Sequence, residues 1–350
     1  MNPGLGFVLA IVGGILMGSF SLPMKKTARW AWETTWLVWA VAALIVVPWA
    51  IALTTCPDLA SVYAGSGTGT LAMVFLFGVG WGLGAVTFGQ SISILGMSLA
   101  FAISIGLTLA LGALVPMATS PGVFATPSGI VVTIGIALMV VGVIISAVAG
   151  SRKEAQINKA SDQAQAQADE PANEPSAGLF VKGLTLCILS GVFNPMINFA
   201  HNYGDGVKDA ARAAGASAGG ASDAVWAIAL LGGFVTNLVY CAILLTRNKT
   251  WADYRKPQTG SHWFLAVLMG VIWVSSITFF GRAAELMGTL GNSAGWAITM
   301  GCCIAVSNVW GIVTGEWREG KGRPLNTMLA GLGVILLAIV VIGYGNSLGT

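Results

Sequence analysis

The sequence predicts an all-α integral membrane protein, with ten transmembrane helices arranged as two inverted repeats of five helices each. Three observations carry this prediction. The composition is 55% hydrophobic and 9% charged, whereas soluble domains carry about 25% charged residues. Long apolar stretches alternate with short polar connections, and the second half of the chain repeats motifs of the first half.

Ten apolar stretches are long enough to cross the roughly 30 Å hydrocarbon core of a bilayer as helices. They cover residues 4–22, 34–53, 71–92, 97–117, 129–149, 179–200, 223–246, 262–281, 293–314 and 325–345. Five fall in each half. We therefore predict a first five-helix repeat over 1–150, a cytoplasmic linker over 151–178 and a second five-helix repeat over 179–350. The linker is predicted because its Ala, Gln, Asp and Glu residues offer no apolar face to pack.

The internal repeat is clearest at the fourth and ninth stretches, where residues 95–106 align without gaps to 290–301 with six identities. Pro23 and Pro195 also fall at corresponding points, just after the first stretch and within the sixth. Because each half holds an odd number of helices, the two halves must lie inverted in the membrane. Inverted repeats of this kind build many carriers that work by alternating access.

The basic residues predict the orientation of the helices. Of the 17 lysines and arginines, all but Lys208, Arg212 and Arg282 lie in or beside the odd-numbered connections. The positive-inside rule places these connections in the cytoplasm. We therefore expect a multi-pass protein with both termini outside the cytoplasm.

Several classes of function are not supported by the sequence. The five cysteines show no spacing typical of a metal site, and the glycine run over 78–84 lacks the strand that a dinucleotide loop requires. That run forms overlapping GxxxG pairs, which indicate close helix packing. With no nucleophile–base pair or phosphate loop, we expect no enzyme, no cofactor or metal, and no nucleic-acid partner.

Ionisable residues in or beside the apolar stretches are few, and a charge deep in a bilayer is usually paired or functional. Glu33 is the leading candidate for proton coupling, although an interfacial carboxylate at a helix start is an equally open interpretation. His201 and Asn202, which follow the sixth stretch, and Arg282, which ends the eighth, are secondary candidates for the site. We expect His201 near the outer surface, and Arg282 in an interfacial ion pair with Glu285 three residues later.

Neutral polar and aromatic residues suggest a sugar site, because amides bind hydroxyl groups and aromatic faces stack on sugar rings. The same residues could instead hold helices together. The predicted amide ligands are Gln90, Asn194, Asn198, Asn237 and Asn308. The predicted stacking residues are Trp81, Trp273 and Trp310.

Short motifs across the whole chain resemble the L-rhamnose–proton symporter family of the drug/metabolite transporter superfamily. They are 22–26 (LPMKK), 30–34 (WAWET), 75–82 (FLFGVGWG), 95–98 (LGMS), 105–109 (IGLTL), 315–317 (GEW) and 322–324 (GRP). The resemblance implies ten helices in two inverted repeats, a bacterial inner membrane, and uptake of a deoxy sugar together with a proton.

The predicted function is therefore proton-coupled symport of L-rhamnose or a related deoxy sugar by alternating access. The proton is the coupling ion, and the partners are the sugar and the lipid bilayer. Two alternatives remain open at this point. One is a proton-antiport exporter of a small metabolite or drug, and the other is a membrane sugar sensor that transports nothing.

Overall fold

A computed structural model describes residues 2–95, 97–165, 177–318 and 322–349, and the regular elements of these residues are all helical. The α-helices of the first half are α1 (Pro3–Ser19), α2 (Trp32–Val41), α3 (Val47–Thr55), α4 (Leu59–Gly65), α5 (Thr68–Leu95), α6 (Met97–Ala118) and α7 (Pro127–Gln165). Those of the second half are α8 (Ala177–Phe193), α9 (Met196–Asn202), α10 (Asp205–Ala213), α11 (Ala218–Arg247), α12 (Gly260–Met287), α13 (Gly291–Val313) and α14 (Arg323–Ser347).

Within these described ranges, nine helical stretches are long and apolar enough to cross a membrane. One of them, Gly260–Val313, contains both α12 and α13, which a short 3₁₀ turn over Gly288–Leu290 separates. A π-helical turn over Ala42–Val46 joins α2 to α3 within another single stretch. Each of the ten stretches predicted from the sequence therefore falls on helix, two of them on Gly260–Val313.

The predicted linker is partly helical. Residues 151–165 continue α7 well beyond the apolar part of that helix, because Ala, Gln, Lys and Glu all favour helix. The prediction that 151–178 forms a cytoplasmic linker stays a prediction. The rest of the predicted linker, 166–176, lies outside the described residues.

Both prolines of the repeat stand where a helix is interrupted. Pro23 lies in a 3₁₀ turn, Leu22–Lys26, that follows α1. Pro195 lies between α8 and α9, and its carbonyl oxygen accepts the backbone N–H of Asn198 at 2.9 Å. Proline has no N–H for the helical ladder, so each break follows from the sequence.

The helices pack across the two halves of the chain. In one set of contacts, α1 packs against α12 and α13, and α8 packs against α5 and α6. In a second set, α7 packs along α14, and α2 with α3 packs along α11. The contact of α5 with α11 is close enough to require glycine, since a Cβ at Gly78 would lie 1.8 Å from the carbonyl oxygen of Ala229. The glycine run therefore serves packing, as predicted.

Candidate functional site

A cavity of about 310 Å³ lies where the start of α2 faces the later turns of α5 and α11. Its wall is formed by Trp32, Trp36, Ala85, Val86, Gly89, Asn237, Tyr240 and Leu244. Because α2 and α11 run in opposite directions, the start of α2 and the end of α11 share one end of the helix bundle. We call this end, with Trp32 and Leu244, the cavity end.

The cavity wall combines aromatic faces with polar side chains. Trp32 and Trp36, one helical turn apart, stack with ring centroids 4.9 Å apart and planes within 19°. The Trp36 indole Nε1 donates to Asn237 Oδ1 at 3.0 Å. On the same wall, the Tyr240 hydroxyl is hydrogen-bonded to the side chain of Gln90. The arrangement offers hydroxyl-binding groups beside flat apolar surfaces, as a small polar ring compound requires.

A row of tryptophans leads from this cavity into the protein core. Trp36 contacts Trp39 with a centroid distance of 4.3 Å, and Trp39 meets Trp273 edge to face at 5.5 Å. Trp273 then stacks on Trp81 at 5.3 Å, with planes within 24°. Trp81 and Trp273 stack on each other away from the cavity wall. The tryptophans that line the cavity are Trp32 and Trp36.

The start of α2 is held by the segment that follows α11. Glu33, in the first turn and 5% exposed, accepts hydrogen bonds from Asn248 Nδ2 at 3.0 Å and Thr250 Oγ1 at 2.7 Å. Asp253 accepts the Ala31 backbone N–H at 2.8 Å, so a distant part of the chain binds the residue that precedes α2. Glu33 therefore joins the two halves at the cavity end through neutral donors.

The groups around Asp253 favour its ionised form. Burial alone raises the pKa of the Asp253 carboxyl, but Lys256, the Ala31 N–H and Thr34 together hold the pKa below its ordinary value. The Lys256 ammonium lies 2.8 Å from the carboxylate. The carboxylate form is therefore the one that binds the start of α2.

The opposite end of the bundle holds a polar network centred on His201, which is fully buried. Its Nδ1 lies 2.7 Å from Asn292 Oδ1, its Nε2 lies 2.8 Å from Ser222 Oγ, and its ring stacks on Trp226 at 4.9 Å. An amide oxygen accepts only, so Nδ1 carries the proton in the neutral ring. The ring is not solvated, because α11 covers it; the expected position of His201 near the outer surface stays a prediction.

Two ion-pair groups surround this network. Glu285 contacts Lys208 at 3.3 Å and also contacts Arg212, both from α10. Arg282 contacts Asp223 at 3.1 Å. The ion pair expected between Arg282 and Glu285 is therefore wrong, because each of these residues binds a partner on another helix. We call the end of the bundle that contains Asp223, Arg282 and Glu285 the ionic end.

The predicted amides of the sixth span are bonded to other protein groups. Asn198 is fully buried and donates to the Gly112 carbonyl oxygen at 2.7 Å. Asn202 Oδ1 accepts from Asn292 Nδ2 at 3.0 Å. Asn194 lies at the break before α9 and donates to Ser190 Oγ at 2.8 Å. These three residues line the contact of α8 and α9 with their neighbours.

The ninth span contributes two more predicted residues, and both have local or neighbouring partners. Asn308 Nδ2 donates to the Ile304 carbonyl oxygen at 2.9 Å, one turn earlier in α13. Trp310 Nε1 donates to Ser19 Oγ at 2.8 Å and so joins α13 to the end of α1. The structure therefore does not gather the predicted residues into one site.

Of the predicted set, Asn237 lies in the cavity wall and Gln90 contacts it. Three other residues of the cavity wall, Trp32, Trp36 and Tyr240, are not in the predicted set. The sequence does indicate an aromatic face on α2, because Trp32, Trp36 and Trp39 recur at helical spacing.

Comparison with known proteins identifies the family. The family described as L-rhamnose-proton symport protein matches residues 2–348. The chain belongs to this family. It is 30% identical over 350 residues to the L-rhamnose-proton symporter of Klebsiella pneumoniae subsp. pneumoniae, with 97% of each chain covered. The symporters of Cronobacter sakazakii and Escherichia coli are 29% and 28% identical over 349 residues, again with 97% of each chain covered.

A solved structure supports the fold alone. One crystal structure is 14% identical, covers 96% of both chains and superposes with a TM-score of 0.55. The family is one of transporters, and the protein is accordingly a multi-pass membrane transporter rather than an enzyme. In the described ranges, no three His, Cys, Asp or Glu side chains are grouped so that they could hold a metal ion.

Proposed function

We propose that this protein takes up L-rhamnose together with a proton, by alternating access. The observation that carries the proposal is the family match over residues 2–348, together with relatives over nearly the whole chain that are named L-rhamnose-proton symporter. A related deoxy sugar is the next candidate substrate. The proton is the coupling ion, and the transport cycle needs no cofactor.

The sugar site in this proposal is the cavity beside Trp36 and Asn237. Its volume of about 310 Å³ lies at the lower end of the range for small-molecule pockets, about 300–1,000 Å³. Trp32 and Trp36 would stack on the apolar face of the sugar ring. Asn237, Tyr240 and Gln90 would bind its hydroxyl groups. The other predicted ligands do not line the cavity and would act in helix packing.

Alternating access requires two structural halves that move against each other, and the packing supports such halves. The contacts of α1 with α12 and α13 have counterparts in the contacts of α8 with α5 and α6. We propose that α12 and α13 each cross the membrane, which gives ten spans in two inverted repeats, over 1–150 and 179–350. The segment over 151–178 would connect them in the cytoplasm.

The distribution of basic residues supports an orientation with both termini on the extracytoplasmic side of the inner membrane. The segment from Asn248 to Thr259 then faces the cytoplasm, and so does the cavity end. The ionic end, with α10, faces outward. In this arrangement the structure corresponds to a state in which the sugar site is open toward the cytoplasm.

Proton-driven export and sugar sensing without transport are not favoured, since the family and the curated relatives are proton symporters by name. Glu33 stays a prediction for the proton site. Its partners Asn248 and Thr250 are uncharged donors, so its carboxylate is bound without a basic partner among the described ion pairs.

The test is counterflow in proteoliposomes. Purified protein is reconstituted into vesicles loaded with unlabelled L-rhamnose, and radiolabelled L-rhamnose is added outside at a low concentration. We expect transient accumulation of label that excess external L-rhamnose abolishes and that L-glucose leaves unaffected. Vesicles that accumulate no label above empty liposomes, with L-rhamnose or any related deoxy sugar, would contradict the proposed function.

A further inference from the structure

Asp223 lies inside a membrane-spanning helix, and only one of its two carboxylate oxygens has hydrogen-bond partners. Its side chain is 1% exposed. Oδ2 accepts from Thr55 Oγ1 at 3.0 Å and from Arg282 at 3.1 Å. Oδ1 is buried with no hydrogen-bond partner. A buried polar atom without a partner is costly, and in a carboxylate it marks the oxygen on which a proton can be carried.

The surroundings of Asp223 join the two halves of the chain. Thr55 ends α3 in the first half, whereas Asp223 and Arg282 belong to α11 and α12 in the second. The neighbouring Ser222 is hydrogen-bonded to His201. The charged groups at this end also include Glu285, which contacts Lys208 and Arg212 of α10. Two further carboxylates of α10 pair with these cations, Asp205 with Lys208 and Asp209 with Arg212. Arg282 is 38% exposed, so the ion pair borders on water.

The sequence contains a counterpart of this pair in the first half. Ala31, Glu33 and Trp36 align with Ala221, Asp223 and Trp226 at one constant offset, just as Phe88 and Gly89 align with Phe280 and Gly281. By the second alignment, Gln90 is the counterpart of Arg282. Each half thus places one carboxylate and one long polar side chain at the corresponding ends of its second and third helices.

The two counterpart pairs differ in the structure. At the ionic end, Asp223 and Arg282 contact each other. At the cavity end, Glu33 binds Asn248 and Thr250 while Gln90 binds Tyr240. The cavity lies at the end where the counterpart carboxylate, Glu33, has no ion pair. A charge change at Asp223 therefore acts directly on the contact that joins α3, α11 and α12 at the ionic end.

From these observations we propose that Asp223 is the residue that carries the coupled proton, with Arg282 as its charge partner. A proton from the water at the ionic end binds to Oδ1, which forms one O–H bond and neutralises the carboxylate. The attraction to Arg282 is then weakened, and the contact among α3, α11 and α12 can open. When the halves return and the pair re-forms, the O–H bond at Oδ1 breaks and the proton is released toward the cavity end, which faces the cytoplasm in the proposed orientation. This inference rests on the proposed function.

The experiment compares Asp223→Asn with the wild-type protein in two assays on the same proteoliposomes. An imposed potential of about 100 mV, inside negative, drives up to about 50-fold accumulation when one proton enters with each sugar. We expect Asp223→Asn to reduce this accumulation to the external concentration. Because the amide mimics the protonated carboxyl, we expect L-rhamnose counterflow to continue within about threefold of wild type, which also shows that the variant is folded.

Asp209→Asn is the matched control, since Asp209 is a carboxylate on α10 at the same end, 73% exposed and paired with Arg212. It should accumulate L-rhamnose as the wild type does. If Asp223→Asn does not fold, the double variant Asp223→Asn/Arg282→Gln removes both charges and leaves neither unpaired. The double variant is likewise expected to retain counterflow and lose accumulation.

Wild-type accumulation in Asp223→Asn or in the double variant would overturn the inference. If Asp223→Asn keeps potential-driven accumulation and Glu33→Gln loses it, the proton is assigned to Glu33 instead. Failure of the proposed function is distinguishable, because in that case the wild-type protein itself shows neither counterflow nor potential-driven accumulation of L-rhamnose.

Discussion

The contact between Asn237 and Trp36 gives a quantitative prediction for the sugar site. Asn237 is 3% exposed, and its two side-chain polar atoms bind Trp36 Nε1 at 3.0 Å and the Gly233 carbonyl oxygen at 2.9 Å. In Asn237→Ala, a bound sugar loses one amide partner. A neutral hydrogen bond contributes about 0.5–1.5 kcal/mol, so we expect the Kd for L-rhamnose to rise about 2- to 12-fold.

The same substitution should also lower stability. It leaves the Trp36 indole N–H without its acceptor, and an unsatisfied buried donor costs about 1–3 kcal/mol. Trp36→Phe removes that donor while it keeps an aromatic ring at the cavity. We therefore expect the free energies of unfolding in the double variant to be non-additive by about 0.5–3 kcal/mol.

The assay is equilibrium binding of labelled L-rhamnose to purified protein in detergent, combined with thermal unfolding of the same samples. All three variants and the wild type form a double-mutant cycle. If the Kd of every variant stays within twofold of wild type, the cavity is not the sugar site. If the unfolding effects simply add, the Trp36 to Asn237 contact contributes nothing.

Two further predictions concern the packing and the start of α2. Gly78→Ala would place a methyl group 1.8 Å from the Ala229 carbonyl oxygen, so we expect a loss of about 1–3 kcal/mol or more in stability. Gly69→Ala in the same helix meets nothing within 4 Å and should leave the melting temperature unchanged or slightly higher; equal melting temperatures for the two variants would contradict the close approach of α5 to α11. The lowered pKa of Asp253 means that its carboxylate stabilises the fold above the unfolded-state pKa of about 3.9, and that this contribution is lost as pH falls through the lower, folded-state pKa. Wild type should therefore be more stable than Asp253→Asn at pH 7, by about 0.2–1 kcal/mol for the lost ion pair with Lys256, and the difference in melting temperature should shrink below pH 4. A difference that does not change with pH would refute the electrostatic contribution of Asp253.

The fold was predictable because its determinants are local. Each apolar stretch is long enough to require a helix in lipid, and Pro23 and Pro195 mark the breaks by their own chemistry. Residues 151–165 add a helical extension that the apolar pattern does not show. They offer no apolar face to pack, yet the helix propensity of these residues continues α7.

The site was less predictable because its contacts are long-range. His201 follows the sixth span in the sequence, yet Trp226 of α11 and Asn292 of α13 enclose it. The spacing of Arg282 and Glu285 favours a pair within one helix, but Asp223 and the α10 cations compete for these side chains. The partner that each side chain binds depends on how the helices pack around one another. The periodicity of the sequence does not predict this packing.

The central claim is that sugar and proton move in the same direction, and the pH outside the vesicles tests it most directly. L-rhamnose is added to weakly buffered proteoliposomes without any imposed gradient, and the external pH is recorded. Symport predicts a transient alkalinisation that a protonophore abolishes and that empty liposomes do not show. L-rhamnose uptake with no pH change, or with acidification of the medium, would contradict the account.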